Sequence, residues 1–142
     1  MKYDYFIASR WRNRDSVLNL FNKLSAKGKS VYCFLVTDPH HSIHEDPEET
    51  MKSFESTGNW RTDSMIKDIF ERDMDGLKNS QTLLLLLPAG KSAHMEAGIA
   101  YGMGKRCIVI GEQKEAESLY LIFNEFYPSI DKFVSVIQKP QL

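Results

Sequence analysis

Apolar residues fall along the chain in two alternating patterns: short runs that are nearly all apolar, and longer stretches in which they recur every three or four positions. The apolar runs are "YDYFIAS" (3–9), "SVYCFLV" (30–36), "TLLLLLP" (82–88) and "RCIVIG" (106–111), each bounded by turn or cap residues. Continuous rather than alternating hydrophobicity marks a strand covered on both faces, since neither row of side chains meets water. Between these runs, 14–27 puts Val17, Leu18, Phe21 and Leu24 on one stripe and stops at Gly28. A second helix is predicted over 63–78, capped by Asp63 or Thr62, with Met65 or Ile66, Ile69 or Phe70, Asp73 and Leu77 at helical spacing. A third covers 93–103 and closes at Gly104. Towards the C-terminus the pattern predicts a short helix over 115–121, a fifth strand in "LIFNEFY" (121–127) and a closing helix over 129–138.

Strands and helices alternating with short connections imply a parallel sheet between two helical layers, wound right-handed. The expected fold class is therefore α/β, a flavodoxin-like three-layer sandwich, in one domain spanning 1–142. In such sheets ligands bind beyond the carboxyl ends of the strands, which directs attention to the loops after residues 8, 36, 88 and 111. Residues 38–62 are polar and contain two prolines, so they read as an irregular loop, either a lid or partly disordered.

Charge and cysteine content narrow the partners. With 18 basic and 19 acidic residues the formal charge is −1, which provides no field to gather a nucleic-acid polymer or an anionic membrane. The opening "MKYDYFIASR" lacks the apolar core of a signal peptide and no later run approaches a membrane span, so a cytoplasmic location is expected. Cys33 and Cys107 sit inside apolar runs, as reduced core residues do.

Chemistry concentrates in "LPAGKSAHMEAG" (87–98). Its Gly-Lys-Ser is not a phosphate-binding loop, because the first glycine of that motif would fall at Leu85, inside a strand. No Gly-x-Gly-x-x-Gly follows the first strand, and the early strands lack the carboxylates of a phosphate-accepting receiver. His40, His41, His44, Glu45 and Asp46 read as a solvated lid rather than a metal site, since adjacent prolines oppose the helix that would bring the histidines together. Arg10, Arg12 and Arg14 follow the first strand at its carboxyl end, either as a wet loop or as contacts for a phosphate or carboxylate. Glu96 is expected in the first turn of its helix, where free N–H groups and the helix dipole would keep it ionised; the bland alternative is an acid placed there for the dipole alone. Ala97, Gly98, Ala100, Gly102 and Gly104 let that helix press against the sheet. Asp73, an acid among apolar positions, either pairs locally or serves as a second acid/base group.

"RDMDGLKNSQTLLLLLP" followed by "HMEAGIAYGMGKRCIVI" resembles the nucleoside 2-deoxyribosyltransferase family, including its 2'-deoxynucleoside 5'-monophosphate N-glycosidase branch. "YFIAS" with Arg14 and Asp15 behind it is similar to the family's first strand. The resemblance implies cleavage or transfer at an N-glycosidic bond with no cofactor or metal. Glu96 would be the nucleophile at C1', Asp73 would handle the nucleobase and its proton, and Tyr5 would orient the nucleophile. It further implies that Ser9 and Arg10 meet the 5' end of a small nucleoside or nucleotide, that Asn124 reaches a neighbouring copy, and that the protein is a homo-oligomer. Six residues before Glu96, where the family often carries Asp or Ser, stands Gly90, with Ser92 two further on. Lys91, Ser92 and His94 make a loop suited to a phosphate. The alternatives are a TIR-like NAD glycohydrolase or cyclase, which also uses a single glutamate, and a nucleotide-binding module without turnover.

Overall fold

The computed structural model describes residues 1–37 and 46–138. Five parallel strands, β1 (Tyr3–Ala8), β2 (Val31–Cys33), β3 (Ser80–Leu86), β4 (Arg106–Ile110) and β5 (Glu125–Tyr127), form one sheet in the order β2-β1-β3-β4-β5. The helices are α1 (Arg14–Ala26), α2 (Pro47–Glu55), α3 (Ser64–Lys78), α4 (Lys91–Gly102) and α5 (Ile130–Ser135). This is the flavodoxin-like sandwich. Strand alternation divides the core. Tyr5, Ile7, Leu84, Leu86, Ile108 and Ile110 pack with α1 and α5, whereas Phe6, Ala8, Leu83, Leu85 and Val109 pack with α3 and α4. The continuous leucine run therefore serves both layers, which is why it never alternates with polar residues.

Local chemistry accounts for the helix limits. Asp63 accepts a hydrogen bond from the Ile66 N–H at 3.0 Å and so caps α3. Gly28 and Gly104, both at φ 77°, take the left-handed turns that lead α1 and α4 into the next strands. α4 begins at Lys91, two residues earlier than the spacing predicts.

Three expectations are corrected. The 30–36 run is strand only to Cys33, because Thr37 turns back on it: the Cys33 N–H donates to Thr37 Oγ1 at 3.1 Å and the Thr37 N–H to the Cys33 carbonyl at 2.7 Å. Part of the stretch read as irregular is the helix α2. Pro47 occupies its first position, Glu48 and Glu49 its first turn, and Asp46 accepts from the Glu48 N–H at 3.0 Å. Arg12 ties this helix to the 3-10 turn Trp11–Asn13, donating to Glu48 at 2.7 Å with Glu55 at 3.8 Å. The 121–127 run also divides, into the end of a 3-10 turn (Ser118–Ile122) and the short β5. No described helix is long and apolar enough to cross a membrane.

The chain leaves β1 to one side for β2 and to the other for β3, so the strand order reverses between β1 and β3. The crevice of such a sheet opens there, beyond Ala8 and Leu86.

Candidate active site

Asp73 and Glu96 come from neighbouring helices on one face of the sheet. Ala93, Ala97 and Ala100 are fully buried against the strands and bring α4 so close that the Cys107 Sγ lies 3.8 Å from the Ala97 carbonyl. Glu96 occupies the flank of this small-residue stripe. The residue keeps some exposure, but protein closely surrounds its carboxyl group, and that burial pushes its pKa up to about 8, with the nearby charge of Asp73 adding to the effect. The expectation of a first-turn, ionised glutamate is thereby corrected. Counted from Lys91, Glu96 stands in the second turn, where the helix ladder already uses the N–H groups and the dipole has faded. Loss of hydration then outweighs it.

Asp73 is half-buried on α3 and accepts a hydrogen bond from the Tyr32 hydroxyl at 2.8 Å. The Tyr32 ring is buried, stacked on Phe6 with centroids 5.0 Å apart and planes at 6°, and set edge-on to Tyr3 at 5.6 Å. It lies over Gly76, where a Cβ would sit 2.5 Å from the ring.

The other predicted residues spread over the crevice and beyond. Ser9 lies at the carboxyl end of β1, donates to the Leu86 carbonyl at 2.8 Å and accepts from Asn13 Nδ2 at 3.1 Å, stitching β1 to β3. Arg10 is exposed just behind it, and Arg12, also read as an anion contact, is held by α2. Gly90 is the N-cap of α4 with open space where a side chain would be, and Ser92 is exposed in the first turn. His94 bonds the Gly90 carbonyl through Nδ1 at 2.8 Å and turns its ring towards Tyr120, 5.9 Å away. Two residues apart on a helix, His94 and Glu96 point to opposite flanks.

Tyr5 is not brought to Glu96. It projects into the core layer beneath α1 and α5, edge-on to Phe133 at 5.8 Å, on the opposite face of the sheet from α3 and α4. Asn124 is exposed immediately before β5, on the amino-terminal side of the edge strand. His40, His41, His44 and Glu45 lie outside the described residues. Among the described residues no three His, Cys, Asp or Glu group closely enough to hold a metal ion.

Among the described residues, two clefts open near the carboxyl edge of the sheet. One of about 430 Å³ lies on the His94 side of α4, lined by Pro88, His94, Gln113, Lys114 and Tyr120, and holds the buried Gln113 Nε2. The other, of about 300 Å³, follows β1 and is lined by Arg12, Asn13, Arg14 and the start of α1.

No protein-family model and no curated protein sequence matches the chain. Solved structures do. A 2-deoxyribosyltransferase from Bacillus psychrosaccharolyticus superposes with a TM-score of 0.62 at 14% identity, over 97% of this chain and 98% of that one. The chain has the fold of a 2-deoxyribosyltransferase. A CMP N-glycosidase from Clostridium botulinum is similar too (TM-score 0.52, 18% identity, 92% of this chain and 95% of that one). So is the TIR domain of a Toll-related receptor from Hydra magnipapillata (TM-score 0.55, 18% identity, 94% and 89%). An architecture shared this widely leaves the reaction to be argued from the side chains. Among these, Tyr32 escaped the sequence reading. Its one signal there is a hydroxyl inside a nearly continuous apolar run, and such a group needs a partner once buried.

Proposed function

We propose that the protein cleaves or transfers the N-glycosidic bond of a 2'-deoxynucleoside or its 5'-monophosphate, with Glu96 as nucleophile and Asp73 as the group that passes a proton to the nucleobase. One observation carries this reading: on adjacent helices, protein encloses the Glu96 carboxyl beside the charge of Asp73, and burial first, with that charge second, pushes its pKa up to about 8. The pair then holds one proton and one negative charge. As the C1'–N bond breaks, its electron pair stays with the base, which takes up the proton handed from Glu96 through Asp73. The freed Glu96 carboxylate closes on C1', giving a glycosyl ester, a neutral base and Asp73 still charged. Water or a second base then releases the sugar and returns the proton.

The fold shared with a 2-deoxyribosyltransferase and a CMP N-glycosidase supports the same reading. Ser9, Arg10 and the cleft before α1 would receive the 5' end of the substrate, with Gly90 and Ser92 at the start of α4 beside it. The reading includes assembly. Met95 and Ile99 on α4 and Met103 at its C-cap, at helical spacing, are 60%, 39% and 41% exposed, and a second copy of the chain is the partner proposed for that stripe.

The test incubates the protein with a mixed pool of deoxynucleosides, deoxynucleotides and NAD and identifies the bases released. Release of a purine or pyrimidine is expected, abolished in Glu96→Ala at unchanged circular dichroism. It should decline as pH rises past about 8, where the pair loses its proton. Nicotinamide as the product would replace this reading with NAD hydrolysis, and an active Glu96→Ala would overturn the mechanism.

A further inference from the structure

We propose that Tyr32 is the positioning residue of the acid pair: its hydroxyl holds the Asp73 carboxylate charged and in one orientation, and Gly76 is the gap through which its ring reaches. This rests on the reading that Asp73 and Glu96 act together. A hydroxyl donating to a carboxylate stabilises the charged form. Here the donor comes from β2. Its aim is fixed, since Phe6 stacks on the ring, Tyr3 meets its edge, and the α3 backbone at Gly76 lies against it closely enough to exclude even a methyl group. Asp73 is thus set on its helix and also tethered across the layer to the strand beneath.

The consequence falls on Glu96. While Asp73 is charged, the proton of the pair stays on Glu96; without the Tyr32 hydroxyl, Asp73 competes for it. Among the described residues, cations on the neighbouring elements have other partners as well. On α3 itself, Arg72 is engaged by Asp68 at 2.8 Å. At the foot of β4, Lys105 donates to the Lys78 and Ser80 carbonyls at 3.0 and 2.6 Å. β1 presents Tyr3, and α4 presents Glu96.

The experiment follows the ¹³C-carboxyl titrations of Glu96 and Asp73 in substrate-free wild type, Tyr32→Phe, Asp73→Asn and the double variant. Tyr32→Phe keeps the stacked ring and removes one oxygen. It should lower the proton affinity of Glu96 by about tenfold, and the double variant should titrate like Asp73→Asn alone. In the wild type, the Tyr32 ζ-carbon shift should follow the Asp73 titration, which provides a readout needing no variant. An unchanged Glu96 midpoint in Tyr32→Phe, the same shift in both backgrounds, or a Tyr32 signal indifferent to Asp73 would each overturn the proposal. If the cycle holds but wild type releases no base, the glycosidic reading fails and the positioning stands. If base is released and the cycle is flat, the positioning fails alone.

Discussion

Glu96 shows how one residue takes its chemistry from what encloses it. Its place near a helix start argues for charge, and its burial beside Asp73 argues for a proton; the second prevails. Stability carries the signature. The folded chain keeps on Glu96 a proton that the unfolded chain releases above the ordinary value of 4.5, so stability falls as pH rises from there to about 8 and then levels off. Glu96→Gln removes the liability. Its Tm advantage over wild type should grow across that window in pH-dependent thermal melts, and an advantage independent of pH would contradict a buried, titrating carboxyl. Asp73 was legible in the sequence as an acid among apolar positions. Tyr32 was not, because a tyrosine in a buried strand reads as packing until the helix opposite it is known.

At the scale of elements, the strands and major helices follow from period and punctuation, and the places where they do not are instructive. α2 was hidden by the polarity of its stretch, although Asp46-Pro47-Glu48-Glu49 is a helix start: a cap, a proline where no N–H is needed and two acids at the positive end of the dipole. β2 was overextended because an apolar run does not say which of its residues find a strand partner. α3 was placed correctly, and its cap is a measurable quantity. Asp63→Ala leaves the Ile66 N–H without its acceptor and should cost about 1 kcal/mol, read in urea as a lower midpoint at unchanged slope. Since α3 carries Asp73, the same variant should lower the rate of base release more than it lowers stability near the midpoint temperature.

At the scale of the molecule, the sheet decides which side chains can meet. Neighbours in sequence, Tyr5 and Phe6 lie on opposite faces: Phe6 supports the tyrosine that holds Asp73, while Tyr5 packs beneath α5. The outer surface of α4 carries the prediction for assembly. Sedimentation velocity should find a homo-oligomer that Ile99→Lys converts to monomer, and a monomeric wild type would remove the assembly from the proposal. The sequence by itself determined the α/β class and the order of the strands and of the helices other than α2, and it singled out the acids at 73 and 96. These follow from local period and local chemistry, which a single chain displays. Only the tertiary structure decided that Tyr5 faces away, that Tyr32 reaches Asp73 and that burial raises the proton affinity of Glu96. Those outcomes depend on which face a strand turns to which helix and on how much water the packing leaves, and both are set by residues distant in the chain.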